Sequence, residues 1–567
     1  MNPYDIAGEA TDVLVVGAGP AGLSLAINCR RFGLSVRVID RHPEPDRTSR
    51  ALAVWSGSLE ALSAVGVAED ICAEGLTIGR VTVGDGARVL LDEETGVDHA
   101  GPFPQPVILP QWRTEQILAD RLAALGVRVE RGVALVAIDQ ERDRVFATLH
   151  HGEDTPERAV AGFVVGCDGG ASAVRHLLEI EAEDFSDPET HVFCDGRIEG
   201  PLQPGTLYLW SGEGGSIALS PIDGETWRMT ARRQAAPPPA PSGSHPGPDA
   251  DGAATGEPPP EPPPTREEMQ HYLTLSGPPG LSIASVSWLA AYRAGEFVAE
   301  RYREGRCYLV GDAAHVLSPT GGQGLNMGIM DAANLAWKLA QIARGRGDVQ
   351  ALADSYEAER RPIAKAVIES SLVRLLAGFA GGIVARTTRD VAVKALSRLA
   401  PLRRRMLADL ADSAAGYREG ALAGLRRMVT AGTPTVGERA LDAPYHDPET
   451  GKAGSLWPML CGLDAREIGK SDGPKSDGPM HTLLLFGDAT ATRAIALSVE
   501  EFGPAVRIIQ LDAVTDPDGE AARRYNVDPG GWVLVRPDQV VGTRGGPLDV
   551  GLVDSYAELA LRPPEAR

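Results

Sequence analysis

The chain has 567 residues, of which 77 are Asp or Glu and 55 are Lys or Arg, leaving a formal charge of −22. Hydrophobic residues make up 43% and charged residues 23%, enough apolar surface for a large buried core, which excludes a disordered, fibrous or disulfide-stapled chain. So acidic a chain is not built to bind nucleic acid or an anionic membrane through its overall field, and any phosphate it holds has to be gripped locally.

At roughly 150 residues per domain, the length predicts three to four domains. The six cysteines, Cys29, Cys72, Cys167, Cys194, Cys307 and Cys461, are scattered, with no two within five residues. That spacing excludes a CxxC redox pair, a zinc knuckle and the close pair of a flavin disulfide reductase, and it fits a reducing cytoplasm with no metal site. Asp5 and Glu9 precede the first apolar run, Val13 to Val16, which is not the basic-then-apolar order of a signal peptide. No stretch of about 18 charge-free apolar residues predicts a membrane span.

In chain order, "DVLVV" reads as a buried strand, "GAGPAG" as a turn, "LSLAINCRRFG" as a helix ending at Gly33 and "SVRVID" as a second strand, the βαβ pattern of a parallel sheet. Gly79 to Pro110 is strand-like, Thr114 to Gly126 reads as an amphipathic helix, and Phe163 to Gly169 as another buried strand. Ile180 to Val298 reads as mixed strands with aromatic residues. A Pro/Gly/Ala/Ser-rich tract, Pro237 to Pro264, interrupts it and reads as a disordered surface loop. "CYLVGDAAH" (Cys307 to His315) returns to strand and turn, and a long helix is expected over Gly322 to Gly345, with helices continuing to about Met428. From about Thr433, "HTLLLFG", "AVRIIQLDA" and "GWVLVRPDQVV" predict a separate α/β unit. The expected division is a Rossmann-like dinucleotide domain over 1–180 with a substrate-domain strand near 79–110, a β-sheet substrate domain over 181–298 with the loop at 237–264, the second part of the dinucleotide domain with a helical region over 299–430, and a last domain over 431–567. The fold class is α/β with α+β parts.

Three motifs carry chemistry. Gly17-Ala18-Gly19-Pro20-Ala21-Gly22 follows a strand and opens a helix: Gly17 allows the tight turn, Gly19 lets backbone approach a pyrophosphate and Gly22 lets helix and strand pack. Asp40, eighteen residues after Gly22 at the end of the second strand, stands where a carboxylate binds ribose hydroxyls. Together they predict a dinucleotide, FAD or NAD. Cys167-Asp168-Gly169, with Ser172 and Arg175, puts a carboxylate at a sheet edge, and by itself an ordinary turn with a helix N-cap is the commoner reading. Gly311-Asp312 and His315, then Pro319, Gly322, Gln323, Gly324, Leu325 and Asn326, deliver a carboxylate that can bind a polyol and a glycine-rich helix start that can meet a flat ring; a plain Asp turn with a capped helix explains these residues equally well.

In this order the three motifs resemble the class A flavoprotein aromatic hydroxylases, relatives of para-hydroxybenzoate hydroxylase and phenol hydroxylase, over roughly Asp12 to Pro362. "YEAERRP" (Tyr356 to Pro362) is similar to the family's Tyr-x-x-Glu-Arg-x-Pro. The resemblance implies that Gly17, Ala18, Gly19, Pro20, Ala21, Gly22, Asp40, Arg41 and Arg50 hold the ADP half of FAD. It implies that Gln111, in "QWRTEQIL", touches the flavin chain and that Asp168 serves FAD and NAD(P)H. Gly311 and Asp312 would hold the ribityl chain, with Pro319, Gly322, Gly324, Leu325 and Asn326 along the isoalloxazine. The family's Arg-Thr before Leu-Glu is replaced by Gly57 and Ser58. "LVRPDQVVGTR" (Leu534 to Arg544) resembles the thioredoxin-like tail of polyketide and phenol hydroxylases in this class, and with Cys461 its only cysteine, dithiol exchange is excluded.

The activity implied is hydroxylation of an aromatic ring, a polycyclic phenol or polyketide, with NADPH or NADH docking transiently and O2 giving a flavin C4a-hydroperoxide. No side chain is needed as nucleophile or metal ligand. Inactivation of an aromatic antibiotic and Baeyer–Villiger insertion are alternatives within the class, and a non-catalytic flavin-binding scaffold is one outside it. A flavin halogenase lacks support because no Trp-x-Trp occurs. Trp210, Trp227 and Arg228 are candidates for the substrate pocket, although Trp on strands is more often core. His315 reads as a packing or capping residue and the "RLAPLRRRM" run (Arg398 to Met406) as a solvated face. The expected partners are the aromatic substrate and O2, with a homodimer left open and no nucleic acid or membrane.

Overall fold

The first apolar run folds as strand β1, Thr11–Val16, whose last four residues are buried, and it feeds the glycine turn and helix α1, Pro20–Arg31. Pro20 suits the first helical position because its missing N–H would have no partner there. Gly33, in the left-handed region at φ +79, ends the helix and turns the chain into β2, Val36–Asp40. The computed structural model describes residues 10–47, 51–96, 100–152, 156–185, 189–233, 262–317, 322–369, 416–424, 433–462 and 478–562. Most of the Pro237–Pro264 tract, the Arg398–Met406 run, Arg50 and Pro319 therefore lie outside the described residues.

Strands β1 and β2 lie side by side and parallel, as expected for a βαβ unit. After β2 come the short strand β3, Ala53–Val54, helix α2, Ser56–Ser63, and helix α3, Gln111–Ala124. Strand β4, Glu157–Gly166, pairs with the other edge of β1, and Cys307–Leu309 adds beside it, again parallel. The sequence thus returns to the same sheet after more than 130 residues. The fully buried strands Val13–Val15 and Val164–Val165 need cover on both faces, which is the rule for a parallel sheet.

Between these visits the chain builds a seven-stranded sheet in the order 282–294, 189–199, 226–232, 215–221, 206–212, 80–85, 88–94. The strands at 80–94 belong to it because 80–85 pairs in parallel with 206–212. One face is covered by helix α4, Arg266–Ser276, which seals a cluster including Trp210, Leu219, Trp227, Met229, Met269 and Leu273. This helix stands in a stretch read as strands. Its signal was in the text: Thr265 caps it, accepting the Glu268 N–H at 3.1 Å, and Thr-Arg-Glu-Glu is a capping sequence.

Helix α5, Gly324–Ala343, is buried along almost its whole length and packs on α1; helix α6, Val349–Glu369, lies against it. The last unit holds a four-stranded sheet in the order 506–511, 481–486, 532–535, 541–545. Its first pair is parallel and the other two are antiparallel. Its Trp532, Leu534 and Tyr556 share one apolar cluster with α1 and α5, so this unit completes the core.

Candidate functional site

The glycine turn after β1 is shaped by what surrounds it. A Cβ on Gly17 would lie 2.3 Å from the Cys167 carbonyl oxygen, and one on Gly22 2.0 Å from the Gly17 carbonyl oxygen. A Cβ on Gly19 would meet nothing within 4 Å. Two glycines therefore close the turn against β4 and its own helix, and the third leaves open space over the amino end of α1, where no side chain caps the helix. Asp40 faces this turn: one carboxylate oxygen accepts the Ala18 N–H at 2.8 Å, the other the His42 N–H at 2.9 Å, and Arg131 stands 3.4 Å away. Arg41 follows it on the exposed side. Gln111 starts α3, donating to Glu115 at 2.8 Å and accepting the Ala51 N–H at 3.4 Å. Burial raises the Glu115 carboxyl to about 7 against the pull of Gln111 and Arg131. Glu115 was not singled out from the sequence.

The second glycine turn meets the first. Gly311 sits at φ +62, and a Cβ there would lie 3.1 Å from the Ala21 Cβ and 3.4 Å from the Gly328 Cα. Only small residues let α1, α5 and this turn come so close. A Cβ on Gly324, the first residue of α5, would lie 3.6 Å from an Asp312 carboxylate oxygen, so that carboxylate stands at the helix's amino end. The N-cap residue of α5, Gln323, makes no side-chain cap bond. The Asn326 side chain is committed within the protein: its amide donates to Ala53 and Gly322 carbonyls at 2.9 and 2.7 Å and accepts the Trp55 N–H at 2.9 Å. Asn326 thus ties β3 to α5 and offers a ligand its backbone only. Leu325, beside it, is half-buried at the start of α5.

Behind this turn lies a buried ionic cluster. Asp331 accepts from Gly311 N at 3.1 Å, from His315 Nε2 at 2.8 Å and from Arg360 Nε at 2.6 Å. Burial works to raise its pKa, yet Arg360 and His315 hold it down to about 2. Tyr356 donates to the Leu309 carbonyl at 2.7 Å. The Tyr-x-x-Glu-Arg segment is therefore a brace for the turn. Asp168 accepts from Ser172 Oγ at 2.6 Å and from Val174 N at 3.2 Å, and burial raises its pKa against those bonds. Ser172 also caps the short helix that follows, and Arg175 donates to the Ala313 carbonyl at 2.9 Å, linking the second motif to the third.

On the seven-stranded sheet, strand alternation separates the three substrate candidates. Trp210 and Trp227 point into the cluster under α4, with Trp210 donating to the Gly86 carbonyl at 2.7 Å. Arg228 is on the other face, bidentate to Asp195 at 2.7 and 2.6 Å, with the Trp288 ring 4.9 Å from its guanidinium carbon. Phe193 stands against Trp288 on that face. Leu207, alternating with Tyr208 and Trp210, is also on that face, and with Ile222 and Ala53 it packs against the cluster of Leu52, Ile78 and Ile108; Asn326 of α5 holds the Ala53 carbonyl, so this end of the face lies toward the start of α5.

Among known proteins, the FAD binding domain family matches residues 10–240 and 250–371. The chain belongs to that family. It is similar to the 6-methylpretetramide 4-monooxygenase of Streptomyces rimosus, 31% identical over 559 residues that cover 95% of this chain and 91% of the relative. A rifampicin monooxygenase of Streptomyces venezuelae is 34% identical over 371 residues, 64% of this chain and 71% of the relative. The solved structure of the anhydrotetracycline hydroxylase OxyS of Streptomyces rimosus matches with a TM-score of 0.72 and 26% identity, covering 98% of this chain and 100% of that one. The protein is an FAD-dependent monooxygenase.

The residues of this monooxygenase fit FAD. Open space over Gly19 at an uncapped helix start suits a pyrophosphate. Asp40 beside that turn suits a ribose, and a second uncapped helix start with Asp312 suits a polyol leading to a ring. No described helix is long and apolar enough to cross a membrane.

Proposed function

We propose that this monooxygenase hydroxylates a polycyclic aromatic polyketide, using NADPH or NADH as the electron donor. The observation that carries the reading is the meeting of two glycine turns at Ala21, Gly311 and Gly328, which brings two helix amino ends, those of α1 and α5, to one site. The substrate class is supported by the near-full-length likeness to a monooxygenase of 6-methylpretetramide.

In this reading Gly17 to Gly22 and Asp40 hold the ADP half of FAD, with Arg41, Arg50 and Gln111 around it. Asp312 holds the ribityl chain and the backbone of Gly322, Gly324, Leu325 and Asn326 lies along the ring, with Pro319 nearby; Asp168 steadies the site from the end of β4. When bound, FAD supplies hydride acceptance from the nicotinamide and transfer of one atom of O2 to the substrate. The chain's own residues place and shield that chemistry. The amino end of α5 favours negative charge on the ring it meets. The sheet face carrying Arg228, Asp195, Phe193 and Trp288 forms the substrate wall, and its aromatic rings stack a planar molecule and keep water away. The last unit, expected to be thioredoxin-like, is structural, and six free cysteines suit a reducing cytoplasm.

The test is direct. Purified protein is expected to be yellow, and to oxidise NADPH or NADH faster when a tetracyclic phenol is added. Bound flavin that neither nicotinamide reduces would support the scaffold instead. Ala218 and Ala290 are half-buried on the proposed substrate wall. A218W is expected to raise the substrate KM by about tenfold while FAD content stays unchanged, the loss typical of a filled pocket.

A further inference from the structure

The Trp55 side chain is 5% exposed, and its indole Nε1 has no hydrogen-bond partner. A buried indole N–H ordinarily finds an acceptor, so a bare one calls for an explanation. A Cβ built on Gly322 would lie 3.8 Å from that nitrogen, and Gly322, at φ +61, leads directly into the uncapped start of α5. Trp55 is not loosely placed there. Its backbone N–H donates to Asn326 at 2.9 Å, and Asn326 also holds the Ala53 and Gly322 carbonyls. One asparagine therefore fixes the Trp55 backbone, β3 and the helix start as a unit. Two sets of donors lie near each other around Gly322: the first N–H groups of α5 and the indole N–H. What suits them is an acceptor on which negative charge develops.

We propose that Trp55 binds the flavin directly, its Nε1–H sharing with the amino end of α5 the nitrogen–carbonyl edge of the isoalloxazine pyrimidine ring. This rests on the FAD reading of the site. That edge gains negative charge when the ring accepts a hydride, so the indole favours reduced over oxidised flavin. An oxyanion of the substrate has the same acceptor chemistry, and the experiment separates the two.

W55F keeps an aromatic ring and removes the donor. In the full-length, FAD-loaded protein it is expected to weaken reduced-flavin binding about tenfold more than oxidised, which lowers the midpoint potential by about 30 mV for a two-electron couple. Flavin fluorescence titration and potentiometry read this without turnover, and circular dichroism reports the fold. In the wild type labelled with nitrogen-15 tryptophan, the Trp55 indole N–H resonance, assigned from whichever of W55F and W55Y folds, is expected to shift on adding FAD and again on reduction. A folded W55F with unchanged potential and FAD affinity overturns the proposal, as does an indole resonance indifferent to FAD. An effect on substrate affinity alone also overturns it, because the indole would then serve the substrate. A wild-type protein that binds no FAD fails differently: it removes the functional reading itself.

Discussion

Three glycines of one motif do different physical work. Gly17, at φ +104, has a carbonyl oxygen where its Cβ would go, while Gly19 has extended backbone at φ −77 and empty space. G17A is therefore expected to cost about 3 kcal/mol or more and to yield little folded protein, through backbone strain and a clash with backbone. G19A is expected to keep its thermal midpoint but to lose FAD affinity by about tenfold, because the methyl occupies the place offered to phosphate. Thermal unfolding beside a fluorescence titration of FAD distinguishes them. Asn326 carries the same lesson: its side chain bonds Ala53, Trp55 and Gly322, so what it can offer a flavin is its backbone.

Helices α1 and α5 hold the site because they cross on small residues. A Cβ on Gly328 would come within 3.0 Å of the Ala21 Cβ and 3.3 Å of the Gly311 Cα. The Gly17–Gly22 turn, the Asp312 turn and α5 are thus in contact at one point, and a larger residue there pushes all three apart. G328V is expected to destabilise by about 1–3 kcal/mol, the usual overpacking cost, and to reduce FAD retention with it. Urea unfolding and the flavin absorbance of the purified protein check both. Helix α4 shows the reverse case, an element with local capping that stood unread among strands because the Pro-rich tract before it dominates the composition.

At the scale of the whole molecule, the last unit is bolted to helices α5 and α6 by buried charge. Arg536 donates to both Glu359 oxygens at 2.8 and 2.9 Å and pairs with Asp538. Lys338 donates to Glu359 at 2.7 Å and to Asn334 at 2.8 Å. Burial works to raise Glu359, but Arg536 and Lys338 hold it down to about 2. R536M, which strands Asp538 and half of Glu359, is expected to cost about 3–5 kcal/mol in urea unfolding, the loss typical of a broken buried pair. Acid has two windows. His481, packed between Trp337 and Tyr556, is lowered to about 3 by burial and Arg536, and His191 to about 4 by burial and Arg232. The unfolded chain takes up these protons near pH 6.5 and the folded chain does not, so stability is full above that pH. Each buried histidine then removes about 1.4 kcal/mol per pH unit on the way down. Glu359 and Asp331, depressed instead, give up their contribution only as pH falls from about 4 toward 2. The urea midpoint is expected to decline from pH 6.5 to 4.5, with a shallower slope in H481Q.

By itself the sequence determined the strand–glycine–helix start, the order of its three motifs and the family they resemble, because these depend on neighbours within one turn or one strand. The near-continuous apolar runs of β1 and β4 likewise announced a sheet covered on both sides. Tertiary structure alone decided that Arg228 lies on the sheet face opposite the cluster under α4, which holds Trp210 and Trp227, since a one-residue difference in register reverses a strand's faces. It also decided that Trp55 stands at the start of α5 across 271 residues from its partner Asn326, and that Arg536 reaches Glu359 across 177. Such pairings follow from how whole elements pack, and no local pattern of residue types encodes them.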